Sequence, residues 1–299
     1  MTHDQASDLR RLAEQAFSRE KARPARGASC RMIAVTSGKG GVGKSNVILN
    51  TACALSQLGK KVLVFDADFG LANIDVLAGI TVRSTIANVV SGESSISEIL
   101  VDGPFGIKIV PASSGLQEMA DMSVSDRESL IESMSTLDWD GDFILIDTGA
   151  GIAANVVDIL LAVPEVIVVT LPEPTAITDA YAVIKVLSQK GAGARIRLLV
   201  NRANNPQEGA DTFDRLQRVV KRFLPIEIEY MGYVASDDRL VEAVMRQTPL
   251  MEAFPRSAAA HCFNDLARKI ANLPVEERST GGFQQFWRNF LRGNGKARL

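Results

Sequence analysis

The sequence predicts a doubly wound α/β fold on a mostly parallel sheet, and three observations predict it. Short apolar runs recur between residues 31 and 273, stretches of helical spacing separate them, and a glycine-rich turn follows the first run. Several runs are apolar almost throughout, as expected of strands covered on both faces of a parallel sheet. Regular strand–helix alternation is the pattern of that class.

Each element follows in chain order. Residues 2–17 read as a short amphipathic helix. Thr2 and Gln5 have capping-box spacing, and Ala6, Leu9, Ala13, Ala16 and Phe17 fall near one face. Residues 18–30, rich in Arg, Lys, Pro and Gly, read as a flexible linker. Residues 31–273 form the main domain. Its expected strands are MIAVT (32–36), KVLVFD (61–66), IKIVP (107–111), DFILID (142–147), EVIVVT (165–170), RIRLLVN (195–201) and IEYMGYV (228–234). Helices are expected over 46–58, 152–162, 176–190 and 211–223. A second polar linker covers 274–282, an amphipathic helix 283–292 and a frayed tail 293–299.

Composition removes several classes. The 299 residues are 46% hydrophobic and 23% charged, ordinary for a soluble globular chain. Lys+Arg 33 against Asp+Glu 35 leaves a net charge of −2, which argues against a general nucleic-acid coat. Arg215, Arg218, Lys221 and Arg222 still make a modest basic cluster on one expected helix. Cys30, Cys53 and Cys262 lie far apart with no CxxC pair, against a zinc or iron–sulfur site within one chain and in keeping with a reducing cytosol. The polar start carries no secretory signal, and no run of 18 apolar residues occurs.

The glycine-rich turn carries the chemistry. Gly38-Lys39-Gly40-Gly41-Val42-Gly43-Lys44-Ser45 matches G-x-x-x-x-G-K-S/T, lies between a strand and a helix, and is followed by Asn46. Glycines let backbone N–H groups approach phosphate oxygens, and the helix N-terminus adds positive potential. Lys44 is expected on the β- and γ-phosphates of ATP and Ser45 on Mg²⁺. Two strands end in carboxylates. KVLVFD ends in Asp66-Ala67-Asp68, and DFILID ends in Asp147 before Thr148-Gly149-Ala150-Gly151. Ligands in open α/β sheets bind beyond the carboxyl ends of strands, where such groups can hold Mg²⁺ or orient an attacking water.

At the other end of the chain, Phe283, Phe286, Trp287, Phe290 and Leu291 share one helical face. Arg288 and Arg292 occupy the opposite face. This is the pattern of an interfacial helix for an anionic membrane surface. One copy should bind weakly and two linked copies far better.

With Lys39 one residue after its first glycine, SGKGGVGKS resembles the deviant Walker A loop of the MinD/ParA ATPases, the SIMIBI type of P-loop NTPase. The resemblance implies an ATP-dependent homodimer in which Lys39 reaches the nucleotide of the facing subunit. It implies Asp147 as the Walker B aspartate, Asp66 near Mg²⁺, and Asp68 with Lys39 and Lys44 in slow, regulatory hydrolysis. It places Asn201 and Arg202 at the adenine, and Glu173 near the partner's nucleotide. It also places Val234 and Ala235 at the adenine; relatives often carry proline where Ala235 stands, which leaves a backbone contact.

Asp4-Gln5-Ala6-Ser7-Asp8-Leu9-Arg10 fits DQAxxLR. With it, the chain resembles the MinD-like flagellar-number ATPases, the FlhG (FleN, YlxH) group. That resemblance implies that Asp4, Gln5, Ala6, Leu9 and Arg10 stimulate the signal-recognition-type GTPase FlhF. It also implies that flagellar switch or regulatory proteins are further partners. The implied location is the cytoplasm, peripherally on the inner face of the membrane when ATP is bound. A ParA-type DNA-partitioning ATPase and a cell-division-site MinD are the alternatives, but the near-neutral charge and aromatic tail favour membrane over nucleic acid. Iron–sulfur carriers of similar type need cysteines near a dimer axis, and related tyrosine kinases a tyrosine-rich tail. Neither pattern is present.

Overall fold

In the computed structural model the eight strands among the described residues lie in one sheet in the order β3-β4-β2-β5-β1-β6-β7-β8, parallel except at β3. The structure describes residues 30–68, 73–111, 137 and 139–273. The amino-terminal arm (residues 1–17), the first linker up to residue 29, the second linker, the 283–292 segment and the frayed tail lie outside the described residues. The strands are β1 (Arg31–Ser37), β2 (Val62–Ala67), β3 (Val101–Asp102), β4 (Lys108–Val110), β5 (Phe143–Ala150), β6 (Glu165–Thr170), β7 (Arg195–Ala203) and β8 (Glu229–Ala235). The helices, numbered among the described residues, are α1 (Lys44–Gln57), α2 (Ile74–Ala78), α3 (Ile86–Val90), α4 (Ala154–Ala162), α5 (Pro174–Gln189), α6 (Pro206–Phe223), α7 (Asp238–Met245), α8 (Leu250–Ala253) and α9 (Ala258–Asn272).

Period-2 alternation divides the strand side chains between two cores. In β1, Met32 and Ala34 face α3, α4, α5 and α6, whereas Ile33 and Val35 face α1, α2, α7, α8 and α9. Burial on both faces explains why the strands read as unbroken apolar runs.

The four helices expected in the main domain exist, with two informative shifts. The first begins at Lys44, inside the glycine-rich motif, not at Asn46. The fourth begins at Pro206, five residues before the expected 211. The Asn205 side chain accepts from the Glu208 N–H at 2.9 Å, and proline follows at the first helical position. That is a local start signal whose polar first turn hides it from a search for apolar periodicity. Helices α7 to α9 complete the domain. On α9, Ala259, Ala260, Phe263, Leu266, Ala267 and Ile270 are buried against the α1 side. Each large one contributes about 1.5–3 kcal/mol.

An ionic network closes the amino-terminal end of the sheet. Arg31 forks onto Glu165 at 2.9 and 2.7 Å. Arg197 also donates to Glu165, and its Nε donates to Glu229 at 2.9 Å. Arg31 further donates to the Ile270 carbonyl of α9 at 2.5 Å, fixing the end of the last described helix. Burial pushes the Glu165 carboxyl up, but the two guanidinium groups outweigh it and hold it below its ordinary range. Glu165→Ala leaves buried Arg31 without its carboxylate and buried Arg197 with Glu229 alone, with an expected loss of about 3–5 kcal/mol in urea unfolding. A loss under about 1 kcal/mol would mean that water reaches both cations.

Candidate active site

The P-loop joins β1 to α1 at the carboxyl end of the sheet. Gly43 sits at φ +93° and Gly41 at φ +78°, the left-handed region that glycine adopts freely. No side chain caps α1, and its first turn holds no acidic residue. Its first N–H groups therefore keep their positive potential for an anion. Lys44 is buried at the helix start, Ser45 and Asn46 half-buried beside it.

Neighbouring strands brace this loop. The Gly151 N–H donates to the Ser37 carbonyl at 2.8 Å, and the Thr148 hydroxyl to the Val35 carbonyl at 3.1 Å. The Ser37 hydroxyl donates to the Lys39 carbonyl at 2.8 Å. From β7, the Asn201 amide donates to the Val42 carbonyl at 2.7 Å, and its oxygen accepts from the Arg202 N–H at 2.9 Å. Asn201, expected on adenine, thus also braces the loop. α5 presses on the first glycine: a Cβ at Gly38 would lie 2.1 Å from the Asp179 carbonyl carbon. Gly38→Ala should cost about 1–3 kcal/mol of stability and weaken nucleotide binding with it. Thermal unfolding and calorimetric titration would check this, and an unchanged protein would mean that α5 yields freely.

The carboxylates converge. Asp66 and Asp147 are direct partners in the β2–β5 register. Both are buried, and neither Asp147 oxygen has a hydrogen-bond partner of normal geometry. Burial first, then the Asp66 charge, raises Asp147 to about 7, against the pull of the Ser45 hydroxyl and Lys44. Burial raises Asp66 to about 6, although the N–H groups of Asp68, Ile74 and Asn73 oppose it. Those N–H groups donate at 3.1, 3.3 and 3.2 Å, so Asp66 also hangs α2 from the end of β2. Asp68 lies over the exit of β5, its carboxylate 3.5 Å from where a Gly149 Cβ would stand. Two orphaned carboxylate oxygens next to a hydroxyl and a P-loop fit a hard divalent cation carried with a phosphate.

Lys39 lies on the loop's outer rim. Its ammonium pairs with Glu173, the residue capping α5, at 3.0 Å, and both side chains are partly exposed. Arg202 ends β7 exposed at φ +53°. Ala203 and Ala235 are register partners, so Arg202, Val234 and Ala235 stand at adjoining strand ends. The structure therefore gathers every expected P-loop, aspartate, Glu173 and base-side residue at the carboxyl end of the sheet. Asp4, Gln5, Ala6, Leu9 and Arg10 lie outside the described residues, as do Phe283, Phe286, Trp287, Arg288, Phe290, Leu291 and Arg292.

A ParA family model, described as NUBPL iron-transfer P-loop NTPase, matches residues 29–271. The chain belongs to the ParA/MinD family of P-loop NTPases. The antiactivator FleN of Pseudomonas aeruginosa is 43% identical to it over 256 residues, 86% of this chain and 91% of that one. The flagellum site-determining protein YlxH of Helicobacter pylori is 36% identical over 278 residues, 88% and 90% of the two chains. Among solved structures, the septum site-determining protein MinD of Pyrococcus horikoshii, complexed with Mg-ADP, superposes with a TM-score of 0.67 at 27% identity. That match covers 81% of this chain and 96% of that one. ParA/MinD NTPases are generally ATPases. As for iron transfer, among the described residues no group of three or more His, Cys, Asp or Glu is placed to hold a metal ion. Cys30 precedes β1, Cys53 is buried in α1 and Cys262 lies on α9.

Proposed function

We propose that this chain is an ATP-driven switch that sets flagellar number or placement. The observation that carries the switch is Lys39, a second lysine held by Glu173 at the rim of a P-loop that Lys44 already serves. A charge so placed is available to a nucleotide outside its own loop. Two copies face to face would each lend Lys39 to the other's ATP. The flagellar output is supported by the likeness to FleN and YlxH.

Within one site the P-loop N–H groups and Lys44 bind and orient the phosphates. Ser45, Asp147 and Asp66 would hold Mg²⁺, which neutralises charge on the β- and γ-oxygens when bound. Asp68 orients the water that attacks the γ-phosphorus. The bond to the bridging oxygen breaks, and ADP and phosphate leave. Val42, braced by Asn201, keeps the loop in register while Asn201, Arg202, Val234 and Ala235 border the base. Hydrolysis returns the pair to single copies.

The terminal segments give the switch its outputs. The 283–292 helix binds an anionic membrane surface, weakly as one copy and strongly as two. The arm, through Asp4, Gln5, Ala6, Leu9 and Arg10, stimulates the GTPase FlhF. Sedimentation with anionic liposomes tests the coupling. The full chain should pellet with ATP and not with ADP, and Phe286→Glu/Trp287→Glu should abolish pelleting. Equal pelleting in both nucleotides, or an indifferent variant, would overturn the coupling.

A further inference from the structure

The second half of α6 presents a basic and apolar face to solvent. Arg215, Val219 and Phe223 fall four residues apart along one row of the helix, and Arg218 and Arg222 along the next. All five are exposed, Phe223 by 62%, and Lys221 is exposed beside them. From Arg215 to Pro225 the chain holds no acidic residue; Asp211 and Asp214 stand a turn earlier on the helix. Among the described residues none of these cations pairs with a carboxylate, and Arg218 donates to the Asp214 carbonyl of its own helix at 3.3 Å. The arginines of α7 differ, since Arg239 and Arg246 both pair with Glu242.

The face continues onto α5. Phe223, Leu224 and Pro225 share a shallow groove of about 430 Å³ with Tyr181 and Lys185. Lys185 is exposed and likewise has no carboxylate partner among the described residues. The Arg222 guanidinium lies 5.3 Å from the Phe223 ring centre, so cation and ring stand in solvent together. The helix dipole accounts for cations in the last turn, Lys221 and Arg222, but not for Arg215 and Arg218 in mid-helix. Nor does it account for a large ring kept in water beside them.

Where α6 ends decides what can cover it. The helix runs back from the carboxyl end of β7, so Phe223 lies towards the amino-terminal end of the sheet, where β8 starts at Glu229. α9 ends there as well. Lys269 donates to the Tyr230 carbonyl of β8 at 2.5 Å, and Arg31 of β1 to the Leu273 carbonyl at 3.4 Å. β1 and β8 are three strand spacings apart, about 14 Å. Residues 274–282 can span at most about 30 Å before the amphipathic segment 283–292. That segment is therefore tethered within reach of the α6 face.

We propose that Arg215, Arg218, Val219, Arg222 and Phe223, with Lys185 at their edge, form a second contact for the anionic membrane surface, so that folded body and tail lie on the same lipid. The inference rests on the reading above that this chain is drawn to such a membrane, and it adds a contribution from the body. Unpaired cations suit lipid phosphates, and a ring beside an arginine suits the headgroup boundary. Duplex nucleic acid would use the cations alone and leave Phe223 and Val219 in water. The P-loop lies at the opposite end of the strands, so this contact leaves the nucleotide site open.

The test is sedimentation of the full chain, with Mg²⁺ and a non-hydrolysable ATP analogue, on vesicles of phosphatidylglycerol in phosphatidylcholine. Arg218→Ala/Arg222→Ala should lower the apparent vesicle affinity roughly 30-fold, two lipid-facing cations at about fivefold each. Its thermal unfolding and its affinity for a fluorescent ATP analogue should match the wild type. In a second variant, Phe223→Cys carrying an environment-sensitive fluorophore should brighten on these vesicles and not on phosphatidylcholine alone, the labelled wild-type thiols serving as control. Suppose the wild type pellets and Phe286→Glu/Trp287→Glu does not. An arginine variant that then pellets as the wild type does, with a silent fluorophore, overturns the α6 contact and leaves the tail reading standing. A tail variant that pellets normally while the arginine variant fails overturns the tail reading and supports the α6 contact. A wild type that stays in the supernatant overturns both. Arginine-dependent, salt-sensitive retention on duplex DNA with vesicle binding intact would overturn the contact in favour of nucleic acid.

Discussion

Lys39→Ala is expected to abolish ATP-dependent pairing and to lower hydrolysis about 100- to 1,000-fold, the effect of removing one preplaced charge from a developing oxyanion. The fold itself has little stake in this lysine. Its pair with Glu173 is partly exposed, and such pairs are worth about 0–1 kcal/mol. Thermal unfolding of the variant should therefore nearly match the wild type. ATP affinity should also survive in the single copy, because Lys44, the α1 N-terminus and the glycine N–H groups remain. Lys44→Ala gives the contrasting pattern. Lys44 is buried against the loop it serves, so its loss should weaken nucleotide binding before pairing can be asked about. Ultracentrifugation with the non-hydrolysable analogue and a phosphate-release assay separate the two lysines. Normal pairing by Lys39→Ala would mean that it serves only its own nucleotide.

The contrast between these lysines also shows which parts of the site are legible in the chain. The P-loop reads directly because its function is carried by backbone freedom at Gly41 and Gly43 and by a lysine at a fixed offset, all within one turn of chain. Asp66 and Asp147 read as site residues because each ends an apolar run, and a parallel sheet puts every such end on one edge. That they are register partners does not read, since it depends on β5 inserting between β2 and β1. The Asn201–Val42 bond, 159 residues apart, and the Arg31–Glu165 fork, 134 apart, have no local signal. Each is a polar pair whose partner is chosen by topology. The short antiparallel β3 and helices α2 and α3 escape for a different reason. At two and five residues they are too brief for periodicity to register, and neighbours hold them in place. Helix α9 lies outside the expected set as well, although the Ser257 hydroxyl caps it by accepting from the Ala260 N–H at 3.3 Å, a start signal ahead of a regular apolar face.

Asp147→Asn is expected to end Mg²⁺-dependent hydrolysis while making the nucleotide-free protein more stable at pH 8. The reason lies in the same burial that fits the site for a cation. Asp147 is raised from 3.8 to about 7, with Asp66 beside it and no hydrogen-bond partner of normal geometry for either oxygen. The folded chain therefore holds a proton there more tightly than the unfolded chain does. Stability from this group is fully present below its unfolded value, near 3.8, and is lost as pH rises through about 7. Thermal unfolding without nucleotide should show the wild type losing ground between pH 5 and 8, and the asparagine variant losing less. At pH 8 the variant should lead by about 1–2 kcal/mol, the usual gain from relieving a strained functional site. Mg²⁺ with ATP should reverse the order, because a ligand that binds only the folded state stabilises it in proportion to its affinity. Equal pH slopes in the two proteins would mean that the carboxylate is solvated, and a cation would then have no special claim on it. Unequal slopes would place the cost of the empty site and the affinity for the loaded one on the same two oxygens. Nucleotide binding would then relieve a strain that the fold otherwise carries.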